Sequence, residues 1–81
     1  MKLDIATPDK SLPTLEVEEV TLPTVEGEAM ILPGHARMVS QLVEGVLSYR
    51  SRSETKSFPV KEGFLEVYDD HIIVLCDEAG L

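Results

Sequence analysis

With 81 residues, 43% hydrophobic and 27% charged, the chain holds material for one small hydrophobic core, so a single domain is expected, outside the composition range of disordered segments. Its 15 acidic residues against 7 basic ones give a formal net charge of −8, a field that repels phosphate backbones and anionic lipid and argues against nucleic-acid and membrane-surface partners. The one cysteine, Cys76, excludes an internal disulfide and points to a reducing compartment, and no apolar run reaches signal-peptide length or the roughly 20 residues that span a bilayer.

Proline and glycine punctuate the chain so often that most uninterrupted runs are strand-sized, which predicts a β-rich architecture. Pro8, Pro13, Pro23, Pro33 and Pro59 are each expected to interrupt helix or interior strand pairing. The first short β-prone run is "KLDIA". "LEVEEVTL" follows with a change of parity: Leu15 and Val17 are odd, Val20 and Leu22 even, so a bulge or a change of buried face is expected at Glu18-Glu19. Next comes Glu26-Gly27-Glu28, then "AMIL", then Pro33-Gly34-His35. Gly27 permits a positive φ, and Pro33-Gly34 suits positions i+1 and i+2 of a type II turn, so two tight loops should flank a short strand and present Glu26, Glu28 and His35 outward.

In "MVSQLVEGVLSYR" the apolar residues Val39, Leu42, Val43, Val46 and Leu47 recur at helical spacing, while Gly45 costs a helix about 1 kcal/mol relative to alanine. The residues alone leave helix and strand both open. "YRSRSETK", with Arg50, Arg52 and Lys56, reads as two strand ends around a polar turn in preference to a nucleic-acid patch. "GFLEVYDDHIIVLC" carries the clearest hairpin: Leu65 and Val67 share one face opposite Glu66, Asp69-Asp70 supply the turn, and Ile72, Val74 and Cys76 line up again. After the closing "CDEAGL" no second domain is expected.

His35 invites a catalytic reading because its ordinary pKa lies near neutrality, yet no serine or cysteine nucleophile motif accompanies it. A metal site built from Glu26, Glu28 and His35 lacks a recognised ligand spacing. His71, at the start of a strand, is expected in solvent, and Cys76 as a small buried hydrophobe. The dispersed glycines form no phosphate loop. No cofactor is expected. Exposed loop residues on a rigid β scaffold suit docking better than catalysis. The acidic balance fits either a basic protein partner or a surface that serves solubility alone.

Five stretches together, "LDIATPD", "VTLPTVEGEAMILPGHA", "GVLSYR", "VKEGFLEV" and "VLCDEA", resemble the N-terminal β-sandwich domain of the epsilon subunit of F-type ATP synthases over essentially the whole chain. Glu-Gly-Glu followed at fixed distance by Leu-Pro-Gly-His-Ala is the specific part. The resemblance implies an all-β fold, a flattened sandwich of two sheets with about ten short strands, and strand over 39–47. It also implies a non-catalytic rotor subunit at the foot of the central stalk, gripping the gamma subunit and resting on the polar loops of the membrane c-ring, at the cytoplasmic face of the cell membrane. Coupling of ion translocation to ATP synthesis would pass through it. Thr7, His35 and Arg37 are then gamma-facing positions, and Glu26, Gly27 and Glu28 face the ring, whose loop tips are basic and polar in the family.

Three departures from the family pattern stand out. Arg37 replaces a usual proline and adds a charge at the gamma contact, Thr24 replaces a common glycine, and Lys61-Glu62 precede Gly63 where smaller residues are usual. Relatives commonly continue past Asp-Glu-Ala into a two-helix hairpin that regulates ATP hydrolysis; this sequence reaches Leu81, so a form without that hairpin and its inhibition is expected, monomeric when isolated. The second reading is a free-standing β-sandwich protein-binding module, and an enzyme using His35 ranks last.

Overall fold

The computed structural model describes residues 1–77. Nine strands follow in chain order: β1 (Lys2–Ala6), β2 (Leu15–Glu16), β3 (Glu19–Thr24), β4 (Gly27–Ile31), β5 (Met38–Leu42), β6 (Gly45–Ser51), β7 (Glu54–Val60), β8 (Gly63–Tyr68) and β9 (His71–Cys76). They hydrogen-bond in the order β2-β1-β9-β8-β5-β3-β6-β7, with β4 added beside β3. The path folds sharply at one point. β5 meets β3 through the single pair Thr24↔Leu42, whereas it pairs with β8 over the full span from Met38 to Leu42. The fold is therefore two sheets joined at a corner, a first sheet β2-β1-β9-β8-β5 and a second sheet β4-β3-β6-β7, as the resemblance implies, with nine strands among the described residues against about ten expected.

Alternation fills the space between the sheets. The first sheet turns Leu3, Ile5, Leu42, Leu65, Val67, Ile72, Val74 and Cys76 inward, and the second turns in Val20, Leu22, Ile31, Leu47 and Val60. Each fully buried aliphatic side chain of this kind contributes roughly 1.5–3 kcal/mol relative to exposure. The β8–β9 hairpin has the predicted faces, and its turn residues Asp69 and Asp70 take φ values of 46° and 56°, the left-handed pair that a two-residue hairpin loop requires.

Between Leu15 and Leu22 both halves of the expectation hold. The Val17 N–H still bonds the Met1 carbonyl of the first sheet, while the Glu18 N–H bonds the Arg50 carbonyl at 2.8 Å. Arg50 is also the register partner of Glu19, so two residues oppose one, the geometry of a β-bulge. The bulge carries the chain from one sheet to the other, which is why the buried parity changes.

Residues 39–47 fall in two strands and a turn, with no helix. β5 buries its even positions Ser40 and Leu42, β6 buries the odd Leu47, and Val43-Glu44 turn the chain between them. Val39 and Val46 point outward. The helical spacing arises from superposing inward leucines and outward valines of two strands with opposite parity. Pro23 and Pro59 correct a second expectation, since both lie inside strands. Pro59 is tolerated because β7 is an edge strand, and Pro23 because the β3–β6 register stops at Thr21. The expectation about the chain's end, past Asp77, lies outside the described residues.

Candidate docking surfaces

β4 carries a proposed contact at each end. At its start, the Val25-Glu26 tip closes on Gly27, whose φ of 112° favours glycine. The buried Thr24 hydroxyl donates to the Gly27 carbonyl at 2.6 Å and accepts the Glu26 N–H at 3.2 Å, so Thr24 locks the tip. Glu26 in turn accepts the Ser40 hydroxyl of β5 at 3.4 Å. Glu26, Gly27 and Glu28 are all exposed on this braced loop.

Beyond the other end of β4, the Leu32 carbonyl accepts the His35 N–H at 3.1 Å and Gly34 has φ 83°, which is the expected type II turn. Asp70 holds this turn from the β8–β9 loop, its carboxylate accepting the Gly34 N–H at 2.7 Å. The His35 ring bonds the Ala36 carbonyl at 2.7 Å, and since a carbonyl can only accept, Nδ1 carries the proton. Half-buried His35 and exposed Arg37 line an open depression of about 460 Å³ with Tyr68, Asp69 and Asp70. Glu26 and Glu28 are thus separated from His35 by roughly 15 Å of extended strand, too far to ligate one ion.

His71 departs from expectation. Its ring is half-buried, bonds the Asp4 carboxylate and stacks on Tyr68 with centroids 5.6 Å apart. Parallel pairing of β1 with β9 brings these partners together from opposite ends of the chain. Asp4 also accepts the Thr14 hydroxyl at 2.5 Å; that bond and then the His71 bond hold its carboxyl below the ordinary value of 3.8. Cys76 is buried as expected, and burial pushes its thiol pKa up, which keeps it in the unreactive form.

Thr7 follows β1 and lines an apolar groove of about 400 Å³ with Pro8, Gln41, Phe64 and Leu75. Its hydroxyl accepts the Lys10 N–H at 3.1 Å. Register places it far from His35: Ala6, Leu75, Phe64 and Gln41 form one row across the first sheet, while Leu3, Ile72, Val67 and Met38 form the row nearest the His35 turn. Thr7 and His35 therefore mark opposite ends of the first sheet, with Arg37 at the His35 end.

The outer face between them holds three exposed apolar side chains, of which Val39 alone figures in the sequence expectations, as part of a helical spacing. Val39 is 68% exposed, Phe64 59% and Leu75 53%. Their signal was parity: each sits at an outward position of a strand whose inward positions are already apolar.

The chain matches, over residues 1–81, the family described as ATP synthase, Delta/Epsilon chain, beta-sandwich domain. An ATP synthase epsilon chain of Dehalococcoides mccartyi is 43% identical over 79 residues, covering 98% of this chain and 56% of that protein. One from Prochlorococcus marinus is 39% identical over 81 residues, covering 100% and 60%. The chain thus spans little more than half the length of these curated relatives. Among solved structures, a chain of the Euglena gracilis mitochondrial ATP synthase OSCP/F1/c-ring assembly superposes with a TM-score of 0.89 at 29% identity, over 95% of this chain and 50% of that one. A chain of the Tetrahymena thermophila mitochondrial ATP synthase central stalk/c-ring shares the fold, with a TM-score of 0.84 at 21% identity, over 96% and 63%. Two sheets joined at a corner, the braced Glu-Gly-Glu loop, the Leu-Pro-Gly-His turn and a match running the full 81 residues lead to one assignment: this chain belongs to the β-sandwich domain family of ATP synthase delta/epsilon chains.

Proposed function

We propose that this chain is a non-catalytic central-stalk component of an F-type ATP synthase, docking on the gamma subunit and on the c-ring so that ion translocation is coupled to ATP synthesis. The observation that carries the reading is the exposed apolar outer face of the first sheet. Val39, Phe64 and Leu75 lie open on a folded domain whose core is already complete, and covering them contributes on the order of a few kcal/mol. Gamma lies along this face, reaching Thr7 at one end and His35 with Arg37 at the other. The exposed Glu26-Gly27-Glu28 loop meets the polar loop tips of the ring, where its carboxylates complement basic side chains. The complex places the chain at the cytoplasmic face of the cell membrane, held there by its protein partners and without a cofactor of its own.

Titration of the isotope-labelled chain with its cognate gamma subunit tests this. Amide shifts should concentrate at Thr7, Val39, Phe64, Leu75 and His35 and leave Glu26 to Glu28 unperturbed. Absence of binding at about 10 μM, an affinity weaker than roughly −7 kcal/mol, would overturn the assignment.

A further inference from the structure

Sheet edges expose backbone donors and acceptors that another chain can pair with, and folded proteins guard them. Three of the four edges here are guarded. β7 carries Glu54, Lys56 and Pro59, β2 is two residues long, and the open side of β5 is met by the Val25 N–H, which bonds the Gln41 carbonyl at 3.0 Å. β4 is the exception: among the described residues it pairs with β3 alone.

Its free groups follow from the register. The Thr24↔Leu42 pair is bracketed by bonds from Val25 N–H to the Gln41 carbonyl and from Val43 N–H to the Pro23 carbonyl, so Pro23 and Val25 direct their backbone groups toward β5. Thr24, Leu22 and Val20 consequently face β4 and bond Gly27, Ala29 and Ile31. Glu28 and Met30 stand opposite Pro23 and Thr21, where no bond is exchanged, and their N–H and C=O groups turn to the open side. Both residues are exposed, Met30 to 54%.

We propose that the open edge of β4 accepts an extended, basic partner segment as an added strand. Such a segment sets a lysine or arginine opposite Glu28 and an apolar side chain opposite Met30, while the residues between them rest on the rim around Ala29. A second copy is disfavoured: antiparallel pairing of β4 with itself about Ala29 sets each Glu28 carboxylate opposite a Met30 side chain, on chains that each carry −8. This edge belongs to the second sheet and is distinct from the apolar face assigned to gamma, so either site stands without the other.

The probe is a capped peptide of about nine residues whose every second position alternates lysine and valine, with threonine between them, added to the full chain, with amide exchange and chemical shifts as readouts. The Glu28 and Met30 amides should exchange about tenfold more slowly at saturation, with Phe64 and Leu75 unshifted. Met30→Pro removes one outward N–H without touching the β3 ladder and should weaken binding about tenfold. Met30→Lys keeps the backbone, sets a charge against the peptide's apolar side chain and adds like charge beside its lysines, so it should weaken binding as well. A peptide with glutamate in place of lysine should not bind. Binding of both variants as tight as that of the native chain, or a footprint on Phe64 and Leu75, would overturn the proposal.

Discussion

The two sheets present alike faces to each other and unlike faces outward. Inward, both show a largely aliphatic set, with Ser40 and Thr24 the buried polar exceptions. Outward, the first sheet shows Val39, Phe64 and Leu75, whereas the second shows the hydroxyl row Thr21, Ser48 and Ser57, whose strands pair in register, with Glu19 and Arg50 paired at the margin. Met30 and Val46 are the apolar exceptions on that side. Folding needs only the inward set. The outward set reports what each face meets, hydroxyls suiting water and large apolar side chains suiting a partner.

The likeness of the inner faces gives the largest expected effect. Leu65→Ala in the first sheet and Leu47→Ala in the second each remove a wholly buried side chain and should each cost about 2–5 kcal/mol in urea unfolding. A cost below about 1 kcal/mol for either would break the picture of one shared core.

The unlikeness of the outer faces gives the next. Phe64→Ser should weaken binding to gamma by about 10- to 100-fold, typical of an aromatic interface anchor, and leave the unfolding midpoint nearly unchanged because the ring is already in water. Ser48→Asn, on the opposite face, should change neither. Equal loss from both substitutions, read by calorimetric titration, would erase the distinction between the faces.

Legibility in the sequence followed locality. The Asp69-Asp70 hairpin and the turns around β4 were readable because glycine, proline and aspartate act within a few residues of themselves. Residues 39–47 were not, since two short strands of opposite parity imitate a helical period. Pro23 and Pro59 also escaped, because tolerance of proline depends on which strand is an edge, a property of the whole sheet. The same holds at the site. Both turns bearing Glu26, Glu28 and His35 were legible, while the separation of Thr7 from His35, the outward exposure of Phe64 and Leu75, and the pairing of His71 with Asp4 across 67 positions arise only from strand order.

That last pairing distinguishes two parts of the first sheet's own outer face and yields the smallest effect. Beside the apolar residues, Asp4 gathers the Thr14 hydroxyl and the His71 ring, fastening the segment before β2 to β1. These bonds hold its carboxyl below 3.8, Thr14 being the larger cause. A carboxylate depressed by folding contributes stability that is complete above its unfolded pKa, near 3.9, and is lost as pH falls through the folded value. The native chain should therefore unfold at a higher temperature than Asp4→Asn at neutral pH, by a margin that is constant down to about pH 5 and shrinks below about pH 4. Thr14→Val should raise the Asp4 pKa toward the ordinary range in a carboxyl NMR titration, while Phe64→Ser should leave it in place. If the margin over Asp4→Asn persisted undiminished at about pH 2, the cluster would be acting through shape alone, and the outer face would divide by packing instead of by charge.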